Sequence, residues 1–300
     1  MKSKNIQKNH LLIIGGTGFI GYHCLDFAKK FNWKLTSISR NYPQKERKVS
    51  GVKYLKFNIN NLGHIKKKLS EKFTYVINAV GVSNKNLSRN KENIISLKKF
   101  KKLIDFFYHK KINRFIQIGS AAEYGSEKVP QKENMKCKPK SQYGQSKLEE
   151  TKYLLNYVKF YSFNATIVRL FQVYGRKQNN DKIIPYTLEK CLSDKEFKLT
   201  EGSQTRDFCH INDIMRGIFL LLNKKKSVGK IYNIASGHDV SIKKLTQTIV
   251  NIVGQGKPVF GALKYRQNEI FKSRADIKKI KKLGWKPRIN LQNGIKSLLK

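Results

Sequence analysis

The sequence predicts an α/β chain: a doubly wound parallel sheet and a smaller carboxy-terminal α/β lobe interleaved with it. Three observations carry that expectation. Short apolar runs alternate with amphipathic stretches through the first half of the chain, and strands alternating with helices build a parallel sheet covered on both faces. The first run passes directly into glycines, "HLLIIGGTGFIG" at 10–21. Beyond about residue 175 the alternation loosens, as a second and smaller lobe would make it do.

The elements follow in order. "HLLII" is a short buried strand and "YHCLDFAKKF" the helix after it. "KLTSIS", "VKYLKFNI", "YVINAVG" and "RFIQIGS" read as further strands, and "NIISLKKFKKLIDFFYHKK" as an amphipathic helix. "YGQSKLEETKYLLNYVKFY" is a long helix and "ATIVRLFQVYG" the next strand. In the second half "KIIPYTLEKCLS", "DIMRGIFLLLN" and "IKKLTQTIVNIV" look helical, and "GKIYNIAS" supplies one more strand. The expected division is residues 1–175 for the first domain and 176–300 mainly for the second lobe. About 228–250 is expected to return to the first domain.

Composition removes several classes. The longest pure apolar run is "IFLLL" at 218–222, far short of the ~20 residues that span a bilayer. The amino terminus lacks the long apolar core of a signal peptide, so the expected location is cytoplasmic, with no membrane insertion. Cys24, Cys137, Cys191 and Cys209 lie far apart without a CxxC pair, which argues against a zinc site and a disulfide framework. No metal is expected. The formal charge of +42 has two readings. One is solvated lysine faces on helices; the other is an RNA or anionic-lipid partner. The lysines are spread along the whole chain with no detached basic tail, which makes a nucleic-acid partner the weaker reading.

Gly15, Gly18 and Gly21 form G-x-x-G-x-x-G between strand and helix. Glycines there permit a tight turn and let the backbone approach a pyrophosphate at the positive helix end. The loop residues Thr17, Phe19 and Ile20 belong to the same candidate dinucleotide site. About twenty residues further on, a carboxylate would grip the adenosine ribose of NAD. This chain has Ser39, Arg40 and Asn41 there and no acid. Arginine pairs with a 2′-phosphate, so NADP(H) is favoured over NAD(H); the plainer reading of Arg40 is an exposed basic loop residue. In "SQYGQSK" Tyr143 and Lys147 stand four apart, on one helix face. An ammonium beside a phenol favours the phenolate and makes a usable acid or base. Read alone, the pair is better taken as an exposed helix pair in a lysine-rich protein.

The ordered set "GGTGFIG", "NAVG" (78–81), "IGSAAEYG" (118–125), "YGQSK", "RLFQVYG" (169–175), "TRDFCHINDI" (205–214), "YNIASG" (232–237) and "LGWKP" (283–287) resembles the extended short-chain dehydrogenase/reductase family. These are the NAD(P)-dependent nucleotide-sugar epimerases, dehydratases and reductases, and the resemblance covers nearly the whole chain. It implies a Rossmann-like sheet. It also implies that Tyr143 is the acid/base, that Lys147 lowers its pKa and holds the nicotinamide ribose, and that Ser120 polarises the substrate carbonyl. Ala79 and Val80 of "NAVG", with Asn58 and Ile59, would join the cofactor site, and Asn58 stands where the family often has an aspartate. Glu123, Gln172, Arg206 and Arg266 would lie on the substrate side, the arginines on phosphate or ribose. The alternative for either arginine is a salt bridge.

The dehydratase branch places Asp-Glu just after the serine or threonine; here the two positions are Ala121 and Ala122, and Glu123 falls one position too late for that role. Reduction or epimerisation remains. Arg40 tips the balance toward a reductase, and the carboxy-terminal "FGALKYRQNEIFKSRADIKKIKKLGWKP" is similar to 4-ketohexose reductases that make CDP-linked 3,6-dideoxysugars. The expected partner is therefore a nucleoside-diphosphate sugar. Gln172 replaces an asparagine and Arg176 a proline of the family pattern. His210 and Asp213 read as structural. The resemblance also implies a homodimer through helices of the first domain.

Overall fold

The computed structural model describes residues 8–57, 69–81 and 89–299, with the side chains of 89–96 outside that description. β1 (His10–Ile14) leads through the glycine turn to α1 (Phe19–Ala28), followed by β2 (Lys34–Ser39), β3 (Val52–Lys56) and β4 (Tyr75–Asn78). The long helix α2 (Arg89–His109) precedes β5 (Arg114–Ser120), and α3 (Gln142–Tyr161) precedes β6 (Ala165–Leu170). The remainder runs β7 (Gln172–Tyr174), α4 (Ile183–Leu192), β8 (Glu196–Lys198), β9 (Thr205–His210) and α5 (Ile211–Asn223). After these come β10 (Ile231–Ile234), β11 (Asp239–Ser241), α6 (Ile242–Val253), β12 (Lys257–Val259), α7 (Lys278–Lys281) and α8 (Leu291–Lys296).

The main sheet has seven strands in the order β10-β6-β5-β4-β1-β2-β3. The pairs β1–β2, β1–β4, β2–β3 and β4–β5 are all parallel, with Leu11 opposite Leu35 and Tyr75 and with Val76 opposite Phe115. β1 and β6 are buried at every position. This accounts for their mostly apolar sequences, Arg169 in β6 being the charged exception: both faces of a parallel sheet are covered, and each enclosed Leu or Ile contributes about 1.5–3 kcal/mol.

The chain separates into two compact units, one of residues 1–118, 149–167 and 221–230, the other of 119–148, 168–220 and 231–300. Within β5 and β6 the chain passes from one unit to the other, and residues 119–148 belong with the carboxy-terminal residues. The second unit has its own core, in which Ile184, Leu188 and Cys191 of α4 pack with Phe197, Phe208, Leu245 and Ile249. Its small sheet has the order β11-β9-β7, with Gln172 opposite Phe208 in parallel register.

The segment expected as one strand, "ATIVRLFQVYG", is broken after Leu170: β6 stays in the seven-stranded sheet and β7 joins the three-stranded one. Gln172 is exposed, a position that a strand buried on both faces does not offer. All four cysteines are free, as the sequence suggests. Among the described residues no helix is long and apolar enough to cross a membrane, and no cluster of three or more His, Cys, Asp or Glu could hold a metal ion.

Candidate functional site

The candidate cofactor residues lie mostly in the first unit. Gly15 donates its N–H to the Ile38 carbonyl at 2.8 Å, Gly18 donates to the Gly15 carbonyl at 3.1 Å, and Thr17 N–H reaches Ser39 Oγ at 3.3 Å. The loop is thereby tied to the carboxyl ends of β1 and β2. A Cβ built on Gly21 would stand 2.2 Å from the Gly15 carbonyl oxygen, so only glycine lets α1 start this close to the turn. α1 opens on Gly18, which caps it with no side-chain hydrogen bond. Its first N–H groups are thus left for an anion at the positive end of the helix dipole. This cradle fits a dinucleotide pyrophosphate.

Ala79 N–H donates to the Ile14 carbonyl at 2.9 Å, which sets Ala79 and Val80 beside Gly15. The turn after β4 is braced by a buried chain of amides. Val80 N–H donates to Asn78 Oδ1 at 3.3 Å, Asn78 Nδ2 to Gln117 Oε1 at 2.9 Å, and Gln117 Nε2 to Glu150 Oε2 at 2.9 Å. Phe19 and Ile20 begin α1 and are half-buried. Arg40 is exposed just past β2, with no hydrogen-bond or ion-pair partner among the described residues. Asn58 and Ile59 lie outside the described residues.

The candidate catalytic residues belong to the second unit. Ser120 is the last residue of β5 and caps the single 3₁₀ turn Ala121–Glu123. Its Oγ accepts a hydrogen bond from Ala122 N–H at 3.1 Å, while its own N–H donates to Glu123 Oε1 at 2.9 Å. Tyr143 and Lys147 sit one turn apart at the start of α3, where Ser141 Oγ accepts from Gly144 N–H at 3.1 Å. Tyr143 is 39% exposed and Lys147 only 4%. The ammonium is thus withdrawn from water one helical turn from a phenol that reaches solvent. Gly144 brings this helix start onto the Ser120 turn, because a Cβ there would meet the Ala122 carbonyl oxygen at 2.3 Å. The sequence alone assigns Gly144 no role; its role is close approach.

Glu123 is a correction. Expected on the substrate side, it is 0% exposed, and its carboxylate accepts from Arg169 Nε and from Nη2, both at 2.8 Å. With Ser120 N–H on the other oxygen, no part of it is left for a substrate. Arg169, itself 1% exposed, is the residue that sequence reasoning missed. The available signal was an arginine inside an otherwise apolar strand, since a buried cation requires a partner.

On the substrate side, Gln172 is exposed at the head of β7. Arg206 on β9 is half-buried and already engaged. Its guanidinium pairs with Glu269 and donates to the carbonyls of Thr205 at 2.7 Å and Ile270 at 2.5 Å. A phosphate would share it with Glu269. Burial pushes its pKa down, Glu269 opposes that, and Arg266 adds to the lowering. Arg266 is exposed, with its side chain unpartnered among the described residues. His210 Nδ1 accepts from Asn212 N–H at 3.3 Å, and its ring stands edge-on to Tyr174 at 5.3 Å. Asp213 accepts from the N–H groups of Arg288 and Ile289, both at 2.9 Å, and pairs with Arg216. Asp213 thereby joins the first turn of α5 to the backbone at 288–289.

A glycine turn that fits a dinucleotide, a Tyr-x-x-x-Lys helix and a serine at the end of β5 form the candidate site of an NAD(P)-dependent enzyme. A sequence model of the NAD dependent epimerase/dehydratase family matches residues 11–235, and the chain belongs to that family, whose members bind a nicotinamide cofactor. Among its relatives, the chain is 27% identical to a putative UDP-glucose 4-epimerase of Methanocaldococcus jannaschii, over 96% of this chain and 97% of that one. It is 26% identical to the CDP-abequose synthase of Salmonella typhimurium, over 98% of each. The UDP-glucuronic acid 4-epimerase of Bacillus cereus, solved in complex with UDP-glucuronic acid and NAD, superposes with a TM-score of 0.85. It is 25% identical, covering 96% of this chain and 97% of that one.

Proposed function

We propose that the protein is an NADP(H)-dependent reductase of a nucleoside-diphosphate 4-keto-6-deoxyhexose. A nicotinamide dinucleotide bound at the glycine loop supplies the hydride. The chain's own residues handle the oxygen. Ser120 Oγ accepts from Ala122 N–H, so its proton is free to donate to the C4 carbonyl and to polarise it. Tyr143 gives its phenolic proton to that oxygen as negative charge develops there. Lys147, one helical turn on, stabilises the phenolate left behind. Arg40 takes the 2′-phosphate in a two-pronged grip, and Arg266, with Arg206 beside it, offers charge to the substrate diphosphate.

The single observation that favours reduction is Arg40, exposed and unpartnered where an acid would grip the ribose of NAD. Dehydration is disfavoured because Ala121 and Ala122 carry no acid and Glu123 is consumed by Arg169. The Salmonella relative, named CDP-abequose synthase, supports the reductase reading over its full length. The second reading is a 4-epimerase that keeps its dinucleotide and returns the hydride to the other face of the sugar; the relative named UDP-glucose 4-epimerase supports it. Association of two copies through helices of the first domain belongs to either reading.

The test is incubation with CDP-, GDP- and dTDP-linked 4-keto-6-deoxyhexoses and with UDP-glucose, followed by mass analysis of sugar and cofactor. A 4-hydroxy product with one NADPH oxidised per sugar is expected. A stereoisomeric product with no net cofactor consumption would establish the epimerase instead.

A further inference from the structure

Stability alone does not account for the ion pair beneath the Ser120 turn. Its carboxylate and guanidinium are both withdrawn from water, and replacing such a pair by apolar side chains of similar volume is often neutral or stabilising. A capping box also works on an exposed helix end with no buried charge. Here its reciprocal bonds, Ser120 Oγ to Ala122 N–H and Glu123 Oε1 to Ser120 N–H, end on a carboxylate whose other oxygen is clamped by two donors of Arg169. Arg169 is fixed in turn. Its guanidinium carbon lies 4.5 Å from the centre of the Tyr124 ring, and the Tyr124 hydroxyl donates to Asn233 Oδ1 at 2.8 Å. From Ser120 to Asn233 every link is a hydrogen bond, an ion pair or a stacked cation.

We propose that Glu123 and Arg169 are positioning residues for Ser120. The buried ion pair fixes the turn in which the serine accepts from Ala122, and so keeps the hydroxyl proton aimed at the substrate oxygen. The proposal rests on Ser120 being the substrate's hydrogen-bond donor, as in the proposed function. Removing the pair leaves the serine present and misaimed. A small displacement of a positioned group costs up to roughly 10²-fold in rate. The loss falls on kcat more than on KM, because the bond strengthens as charge develops on the oxygen.

The experiment is a cycle between S120A and the apolar replacement E123L/R169M, assayed on the keto-sugar nucleotide and NADPH. E123L/R169M is expected to remain folded, yet to lose kcat by roughly 10- to 100-fold with KM within about threefold. In the S120A background the same replacement is expected to change kcat by less than about twofold. Native kcat in E123L/R169M, or an equal further loss on top of S120A, would overturn the proposal. S120A with undiminished kcat would instead overturn the reading of Ser120 itself, so the two failures are told apart. Should E123L/R169M fail to fold, R169K takes its place in the cycle: the charge is kept, the two-donor grip is lost, and the same kcat pattern is expected. A crystal structure of the variant reads the geometry without turnover. A displaced Ser120–Ala122 turn is expected, and an unmoved one contradicts the proposal.

Discussion

Arg40 stands just past β2 with nothing among the described residues to neutralise it, and that isolation is what a bound 2′-phosphate would exploit. Arg40→Ser is expected to raise the KM for NADPH by roughly 10- to 100-fold, the value of a charge-assisted two-bond contact. The KM for NADH should stay nearly unchanged; steady-state kinetics with both cofactors checks this. Equal effects on both would assign Arg40 to the surface. Its candidate role was legible because it depends on local spacing from the glycine loop. The fates of Glu123 and Arg206 were not. Their partners lie 46 and 63 residues away, and no local pattern says that Arg169 or Glu269 arrives beside them.

The elements divide the same way. Among the described residues, every strand of the main sheet and every helix of more than eight residues coincides with a periodic or apolar run that the sequence displays. What the sequence hid was where an element ends or touches another. β6 and β7 read as one strand because the run through Phe171 is largely apolar; they part where β7 leaves the seven-stranded sheet for the three-stranded one. Gly144 lies in a helix start whose approach to the Ser120 turn is a tertiary fact. Gly144→Ala would press a methyl group against the Ala122 carbonyl, moving the start of α3 relative to that turn. Activity is expected to fall by roughly 10²-fold while the variant remains folded, as circular dichroism and turnover measured together will show. Asp213 ties the first turn of α5 to the backbone of 288–289. Asp213→Asn weakens these bonds and strips Arg216 of its counter-charge. A loss of about 2 kcal/mol is expected, read from urea denaturation; full native stability would show that the tie contributes nothing.

Across the whole molecule the charge of +42 opposes both compaction and the meeting of two copies. Dimerisation through the first domain should therefore tighten with added salt, as Debye screening shortens the reach of like charges. Sedimentation from low to high ionic strength tests it, and a monomer throughout would count against the dimer. The same excess makes the few paired acids matter. Hydrogen bonds from Lys34 and Lys53 lower the Glu71 pKa from 4.5 to about 2. Folded Glu71 thus holds a proton less readily than the unfolded chain does. Its contribution is complete above pH 4.5 and is lost as pH falls toward 2. His10 beside it, whose pKa is lowered from 6.5 chiefly by burial, acts in the same direction as pH falls below that value. Unfolding followed between about pH 5 and 2 should show a shallower acid dependence in Glu71→Gln than in the native chain. Identical slopes would remove Glu71 from the account.

The catalytic reading turns on one proton on one phenol. The most direct measurement follows NADPH absorbance as the keto-sugar nucleotide is added to the native protein and to Tyr143→Phe, with dinucleotide binding measured separately. The account predicts one NADPH oxidised per sugar reduced by the native protein. For Tyr143→Phe it predicts turnover lowered by at least about 10²-fold, with the dinucleotide still bound. Undiminished reduction by Tyr143→Phe would contradict it.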